Sequence, residues 1–285
     1  MANSRFAYVR TFELPDPLLP NTHIVLRIDG HAFHKFSDAH GFQKPNDERA
    51  LRLMDKAAQS LMEEYPDIML AFGESDEFSF FFKKSCQLYN RRQSKIVSML
   101  TSLFTSAYVF HWNTYFPDTP LAYPPSFDGR VVLYPGKQEV RDYFAWRQAD
   151  THINNLYNTT FWALVQQGGM TAREAETRLK GTLSKDKHEI LFQDFKTNYN
   201  ALPERFKKGS VLVREVLNAT DPSLVDTSVQ VGAEAQVPDP GIQNPSPKWK
   251  KSSKKKQRAP PSVVRTVHVD IIKDDFWTAH PDLLE

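Results

Sequence analysis

Two aspartates have the surroundings that divalent-metal chemistry requires. Asp29 closes the alternating apolar segment 23–29 and precedes Gly30, and Asp76 lies in the turn between the apolar segments 67–72 and 77–82. Glycine lets a backbone approach a ligand closely, and carboxylate oxygens are the ligands that Mg²⁺ prefers. Two carboxylates can bridge two ions that activate an attacking oxygen and stabilise a leaving pyrophosphate. A role as turn residues is the alternative, because Asp beside Gly is common in turns.

Groups that suit phosphate lie close to both aspartates. The backbone N–H groups of His31, Ala32, Phe33 and His34 follow Gly30 and could hold phosphates. Several cations are expected near helix starts, on the same side of the predicted unit as the aspartates: Lys44, Arg49, Arg91, Arg92 and Lys95. Cations in such places favour triphosphate binding, and a solvated helix end is the alternative.

A third polar group lies on a long helix predicted over residues 138–167. Its members are Arg147, Gln148, Asp150, His152, Asn154, Asn155 and Asn158. Helical spacing places Arg147, Asn154 and Asn158 along one face, and amide side chains lower helix propensity. Hydrogen bonding to RNA or a nucleotide would explain them, but the residues alone favour a polar solvent-facing surface.

The elements that must position these residues follow from hydrophobic periodicity. Strands are predicted at 23–29, 67–72, 77–82 and 128–134, and helices at 46–65 and 92–115. The order β-α-β-β-α-β predicts an α+β fold with a ferredoxin-like, four-stranded antiparallel sheet and both helices on one face. The first strand and the hairpin then end side by side at the sheet centre, as in the palm of many polymerases and nucleotide cyclases.

The chain divides into four predicted regions. Residues 1–136 form the palm-like catalytic domain, and 137–217 a helical extension packed on the palm, with a capping box at Thr171, a helix capped by Ser184 and a last strand at 210–216. Residues 218–262 are expected to be disordered, because aromatic and basic residues are absent from 218 to about 247, where Pro, Ser, Asp and Gly accumulate, and a Lys-rich run follows. Residues 263–285 are apolar again and are expected to pack back onto the core.

Composition narrows the class of protein. The single cysteine, Cys86, excludes an internal disulfide and a cysteine-based zinc site. No signal peptide or membrane span is evident, so a soluble protein of the cytoplasm or nucleus is expected. Seven Lys/Arg residues fall within 248–258, and because the net charge is +2 the rest of the chain is net negative. RNA binding would therefore depend on local basic patches.

Five motifs resemble the eukaryotic, fungal-like tRNA-histidine guanylyltransferases. They are RIDGHAFHKF at 27–36, KPND at 44–47, GESDEFSF at 73–80, RRQSK at 91–95 and WRQADTHINNLYNTTFWAL at 146–164. The likeness spans roughly residues 1–215, and the last motif is highly specific. It implies a polymerase-like palm that adds nucleotides in the 3′-to-5′ direction. The segment 218–261 departs from the family pattern.

The resemblance also implies roles for individual residues. It assigns two Mg²⁺ ions to the carboxylates of Asp29 and Asp76 and to the carbonyl of Gly30. It assigns nucleotide binding to Asp29, Gly30, His31, Ala32, Phe33, His34, Ser75 and Asp76. It assigns a second triphosphate or the activated 5′ end to Lys44, Asn46, Asp47, Arg92 and Lys95. His152 and Asn155 match positions implicated in handling tRNA or nucleotide.

The implied reaction is a three-step guanylylation of tRNA(His) by a homotetramer whose subunits share the tRNA. ATP adenylylates the 5′-monophosphate, the 3′-hydroxyl of GTP displaces AMP, and the new 5′-triphosphate loses pyrophosphate. Two other classes remain open at this point. One is another palm-type nucleotidyltransferase or a nucleotide cyclase, and the other is a non-catalytic tRNA-binding protein.

Overall fold

A computed structural model describes residues 4–216 and 262–285. Met1–Arg214 and Val264–Glu285 form one compact unit, and the candidate site lies inside it. The second unit, Glu215–Val263, falls mostly outside the described residues, as do the segment expected to be disordered and the basic run 248–258. In the described part of the chain no helix is both long and apolar enough to cross a membrane.

Six strands form one sheet. They are β1 His23–Gly30, β2 Ile68–Glu74, β3 Glu77–Phe82, β4 Phe127–Tyr134, β5 Ser210–Val216 and β6 Ser262–Val267. Their order is β4-β1-β3-β2-β5-β6, and the neighbours from β4 to β5 pair antiparallel. The predicted antiparallel sheet is therefore confirmed, and β5 and β6 extend it beyond β2.

The described residues form eight α-helices. They are α1 Phe33–Ala39, α2 Glu48–Glu64, α3 Gln93–Tyr115, α4 Lys137–Gln166, α5 Ala172–Leu179, α6 Ser184–Phe195, α7 Glu204–Lys208 and α8 Asp274–Ala279. The three long helices lie within about two residues of their predicted bounds. Helix α1 was not predicted, because it is short and lacks a side-chain cap at its N-terminus.

The alternation of β1 separates two hydrophobic cores. Ile24, Leu26 and Ile28 are buried with the apolar faces of α2 and α3, so both predicted helices cover one face of the sheet. Val25 is buried on the other face with residues of α4 and with Trp277 of α8. Side chains of successive strand residues point to opposite faces, which also directs Arg27 and Asp29 toward the α4 face.

Polar side chains cap the N-termini of helices α5 and α6. Thr171 and Glu174 form the predicted capping box at α5. The predicted cap at Ser184 is wrong: Ser184 is the first residue of α6, and the N–H of Leu183 donates to Asp186 Oδ2 at 2.7 Å. Acidic side chains in a first helical turn satisfy free N–H groups in this way.

The side chain of Gln148 attaches the C-terminal segment to α4. Its Nε2 donates to the carbonyls of Lys208 and Val269, each at 2.9 Å, and its Oε1 accepts from the N–H of Ile271 at 2.8 Å. A buried amide that is fully bonded fixes its partners closely. Gln148 is therefore structural, and it does not face the solvent.

Candidate active site

A cavity of ≈ 710 Å³ lies at the end of the sheet where β1 ends and the β2–β3 turn begins. Its volume is within the ordinary range of ligand sites, about 300–1,000 Å³. The sheet contributes Asp29, Gly30 and residues 73–77, and the loop before α2 contributes residues 42–47. One face of α4 and the segment around α7 complete the wall.

Asp29 and Asp76 both line this cavity, close enough for the charge of Asp29 to act on Asp76. The N–H of Gly30 donates to the Asp76 carbonyl at 3.1 Å, which joins the end of β1 to the β2–β3 turn. A Cβ atom added to Gly30 would lie 2.8 Å from Asp76 Oδ2 and 2.4 Å from Phe33 Cδ2. Only glycine therefore allows the Asp76 carboxylate and the Phe33 ring to approach the backbone of β1 this closely.

The electrostatics of this pair favour a cation. Burial raises the pKa of Asp76, and the negative charge of Asp29 raises it further. A divalent ion would offset both effects, since it stabilises the ionised carboxylates. Within the described residues, no group of three or more His, Cys, Asp or Glu side chains could hold a metal ion. Two carboxylates thus make up the acidic part of any metal site here.

A chain of alternating charges runs from Asp29 to α4. Arg27 lies 3.1 Å from Asp29 Oδ2 and 2.5 Å from Glu77 Oε2. Arg147 then pairs with Glu77 at 3.0 Å, with Glu74 at 3.2 Å and with Asp150 at 2.7 Å. Because the half-buried Arg27 and the buried Arg147 each lie between carboxylates, the network holds Asp29 and the β2–β3 hairpin in register with α4.

Glu74 is the most perturbed carboxyl group of this network. Burial raises its pKa from 4.5 to about 7, and the charge of Glu77 adds to the rise although Thr151 and Arg147 oppose it. Burial likewise raises the pKa of Glu77. Six carboxyl groups and three arginines of the described residues line the cavity, so its acidic groups outnumber its arginines, which suits cations and cation-bound phosphates.

The loop before α2 is fixed from two sides. Asp47 is the N-cap of α2, and its carboxylate accepts from the N–H groups of Gln43 and Arg49 and from the Arg49 guanidinium. Burial alone would raise the pKa of Asp47, but these hydrogen bonds lower it. On the other side, Asn46 Nδ2 donates to Asn155 Oδ1 at 2.8 Å. The loop is thereby held against α4.

The cavity brings together most of the residues singled out in the sequence. Those that line it are Asp29, Gly30, Ala32, Phe33, His34, Lys44, Asn46, Asp47, Ser75, Asp76 and Asn155. His31 does not line it and is exposed. His152 also lies outside it, with its ring perpendicular to that of Tyr199 at 5.5 Å between centroids.

Arg91, Arg92 and Lys95, before and within α3, do not lie on the side of the aspartates where the sequence predicted them. The expectation that they share a side with the aspartates is wrong, because α3 begins where β3 ends, at the opposite end of the sheet. Lys95 lies 5.6 Å from the Tyr89 ring, whose hydroxyl bonds to Tyr65 just before β2. Arg92 pairs with Asp16.

Arg91 is buried and structural. Its guanidinium donates to the carbonyls of Leu18 and Cys86 and to Thr22 Oγ1. Such a group is fully occupied by backbone acceptors, so it is not available to a phosphate.

Several cavity residues were not among the predicted site residues. They are Arg27, Glu74, Tyr108, Trp162, Arg205 and Phe206. Arg27 carried a usable signal, because it lies on the same strand face as Asp29 two residues away. Tyr108 and Trp162 belong to helices whose apolar residues look like ordinary core in the sequence.

Known proteins are similar to this chain in sequence and fold. A family model described as tRNAHis guanylyltransferase matches residues 6–135, and a second, described as Thg1 C terminal domain, matches residues 138–273. The tRNA(His) guanylyltransferase of Neurospora crassa is 53% identical over 288 residues, covering 100% of this chain and 96% of that protein.

Solved structures agree with these matches. The crystal structure of the Saccharomyces cerevisiae tRNA(His) guanylyltransferase has a TM-score of 0.71 and 52% identity, covering 73% of this chain and 93% of that one. A bacterial guanylyltransferase-like protein in complex with ATP has a TM-score of 0.60 and 26% identity, covering 72% of this chain and 85% of that one.

Proposed function

This chain belongs to the tRNA(His) guanylyltransferase family, and we propose that its cavity catalyses the addition of a guanosine from GTP to the 5′ end of tRNA(His). The single observation that carries the proposal is that Asp29 and Asp76 line one nucleotide-sized cavity, within electrostatic reach of each other. Two carboxylates at the central strand ends of an antiparallel sheet are also what a polymerase-like palm requires, and the order β4-β1-β3-β2 supports that likeness.

Asp29, Asp76 and the carbonyl of Gly30 would hold two Mg²⁺ ions. Their fit rests on the donor set, which is all oxygen, and on the raised pKa of the buried Asp76 carboxyl beside Asp29. When bound, such ions neutralise phosphate charge and make an attacking hydroxyl more acidic. The protein supplies positioning and electrostatics, which account for most of the catalysis of phosphoryl transfer.

The reaction comprises two displacements and a final hydrolysis. In the first displacement, an oxygen of the tRNA 5′-monophosphate attacks the α-phosphorus of ATP, and pyrophosphate leaves. In the second, the 3′-hydroxyl of GTP attacks the activated 5′ phosphorus, and AMP leaves as the new phosphodiester forms. Removal of pyrophosphate from the added guanosine by water then leaves a 5′-monophosphate.

Residues that follow β1 and residues of the loop before α2 would orient the phosphates during these steps. Lys44 is held in place, with its Nζ 2.9 Å from both Asp38 Oδ1 and Ser37 Oγ, and it faces the cavity as a positive charge. The backbone from Asp29 to His34 and the side chain of Ser75 would contact the nucleotide. Asp47 uses its carboxylate as the α2 cap, so we assign it to positioning Lys44 and Asn46.

We further propose that the protein acts as a homotetramer. Arg92 and Lys95 lie at the end of the sheet away from the cavity, so one chain cannot bring them to its own activated 5′ end. A second subunit could present them there, which agrees with the family expectation that several subunits share one tRNA. Light scattering coupled to gel filtration measures the state directly, and a monomer with full activity would contradict this part.

The decisive experiment supplies 5′-monophosphorylated tRNA(His), ATP, GTP and Mg²⁺ and follows extension by one nucleotide. An adenylylated intermediate is expected when GTP is withheld. Consumption of a nucleoside triphosphate without RNA would instead indicate a cyclase. Binding of tRNA without release of pyrophosphate would indicate a non-catalytic RNA-binding protein, and either result would refute the proposed function.

A further inference from the structure

The face of α4 that lines the cavity carries more polar side chains than the fold uses. Thr151, Asn154, Asn155, Asn158 and Trp162 follow one another at spacings of three, one, three and four residues, and all five line the cavity. These spacings place the side chains along one side of a helix. Asparagine lowers helix propensity, so three of them here require a reason.

Asn155 is accounted for by the fold. It is buried, its Oδ1 accepts from Asn46, and its Nδ2 donates to the Tyr199 hydroxyl at 3.0 Å. The amide is therefore occupied at both ends, and it has no free donor–acceptor edge for a base. It acts as a positioning residue for the loop that carries Asn46 and Lys44.

Asn154 and Asn158 are different. Both are exposed at the cavity wall, and neither side chain makes a hydrogen bond to another residue in the described ranges. Each amide offers an acceptor oxygen and an N–H donor side by side. This paired arrangement matches the edge of a nucleobase, to which asparagine can bond in a bidentate way.

Trp162 supplies a flat aromatic surface one to two helical turns farther along the same face. It is half-buried, so its ring is both supported by the protein and in contact with the cavity. The Nζ of Lys44 lies over the ring, 5.8 Å from its centroid and close to the outer limit of about 6 Å for a cation–π contact, so a base that stacks on this face would replace that contact. A base stacked on Trp162 would therefore have a positive charge nearby for its attached phosphate.

We propose that Asn154, Asn158 and Trp162 form a nucleobase subsite, separate from the carboxylate end of the cavity. A nucleobase stacks on the Trp162 ring, the two free amides bond to its edge, and Lys44 faces its phosphate. The inference rests on the proposed function and extends it to a second binding position. The base comes either from a nucleoside triphosphate or from the 5′ end of the RNA, which share this chemistry.

The test compares Trp162→Phe and Trp162→Leu with a matched control, Tyr157→Leu. Tyr157 is a partly exposed aromatic residue of the same helix that does not line the cavity. Values of KM for ATP, GTP and RNA are measured separately, with 5′-monophosphorylated and 5′-triphosphorylated tRNA(His). Triphosphorylated RNA needs no ATP, because its leaving pyrophosphate is already present.

Trp162→Leu should raise the KM of one substrate with little change in kcat. The expected rise is roughly 5- to 150-fold, which corresponds to about 1–3 kcal/mol for a stacked base. Trp162→Phe should retain most of the affinity because phenylalanine still stacks, and Tyr157→Leu should match the unaltered enzyme. All variants are checked for unchanged thermal unfolding, since Trp162 is only half-buried.

The substrate whose KM rises identifies the source of the base. A rise for ATP alone assigns the base to ATP, a rise for GTP alone assigns it to GTP, and a rise for both RNA forms assigns it to the RNA end. Unchanged KM values for all three, or a fall in kcat alone, would overturn the subsite. A rise in KM for Trp162→Phe as large as that for Trp162→Leu would show that stacking is not the basis of the subsite.

Failure of the proposed function is recognised separately, because the unaltered protein would then add no guanosine. In that case the same variants are tested by equilibrium dialysis with labelled ATP and GTP and by filter binding with the two RNA forms. Weaker binding of one of these by Trp162→Leu, and not by Tyr157→Leu, still supports the subsite. Equal binding by all variants overturns it.

Discussion

The substitution Arg147→Met tests the charge network most directly. The Arg147 side chain is 4% exposed and pairs with Glu74, Glu77 and Asp150. Methionine fills much of the same space but leaves two carboxylates, each only 10% exposed, without this cation. Removing one partner of a buried ion pair typically costs about 3–5 kcal/mol of unfolding free energy, and we expect a loss of that size at pH 8.

The loss of unfolding free energy should depend on pH, and the raised pKa of Glu74 sets the direction of that dependence. Its pKa is raised from 4.5 to about 7 in the folded protein, a change worth about 3 kcal/mol at 1.36 kcal/mol per pKa unit. The folded state therefore binds more protons than the unfolded state between these values, and stability falls as pH rises through that window. Removing Arg147, which opposes the rise, should raise the pKa of Glu74 further and extend this fall to higher pH.

Urea unfolding followed by tryptophan fluorescence at pH 6 and pH 8 measures both effects. We expect Arg147→Met to be closer to the unaltered protein at pH 6 than at pH 8, and the further change Glu74→Gln to restore part of the stability at pH 8. A loss below about 1 kcal/mol, the level of an exposed pair, would refute the assignment of a buried network. An identical loss at both pH values would refute the role of Glu74.

Three further predictions follow from the site and the core. Asp29→Asn and Asp76→Asn should each abolish adenylylation and guanosine addition while the protein still folds and unfolds cooperatively; normal adenylylation by either variant would show that the two steps do not share one site. Lys44→Ala should lose more single-turnover activity on monophosphorylated than on triphosphorylated tRNA, as should Arg92→Ala if a second subunit presents it; equal losses on both substrates would place these cations in guanosine transfer or general tRNA binding. His23→Phe should stabilise the protein by about 1–3 kcal/mol, because both ring nitrogens are buried and have no hydrogen-bond partner in the described residues. Burial lowers the pKa of His23 below 6.5, so the unaltered protein should lose stability as pH falls below that value, a loss that unfolding midpoints of His23→Phe should not show.

The sheet and the metal-binding candidates could be predicted because their signals are local. The alternation of residues 23–29 places Asp29 at a strand end, and the turn residues 73–76 place Asp76 beside it. Once the order β-α-β-β-α-β is recognised, packing rules leave few ways to arrange four strands. The pairing Asp29↔Glu77 in the observed register is the result.

The charge network could not be predicted, because its partners are distant in the chain. Arg147 reaches Glu74 and Glu77 only after α4 has packed on the sheet face opposite α2 and α3. The spacing of residues in the sequence does not show where α4 packs on the sheet. The different environments of Arg91 and Arg92 could not be predicted either, because they also depend on partners that are distant in the chain. The two are neighbours with equal charge, yet one donates to buried carbonyls and the other pairs with exposed Asp16.

The close approach at Gly30 has a genetic consequence. Every glycine codon begins with two guanines, and any missense change of either base adds at least a Cβ atom at this position. That atom would meet the Phe33 ring at 2.4 Å and the Asp76 carboxylate at 2.8 Å, so even alanine cannot be accommodated without moving one of them. We therefore expect every missense allele at this codon to behave as loss of function, whatever residue it encodes.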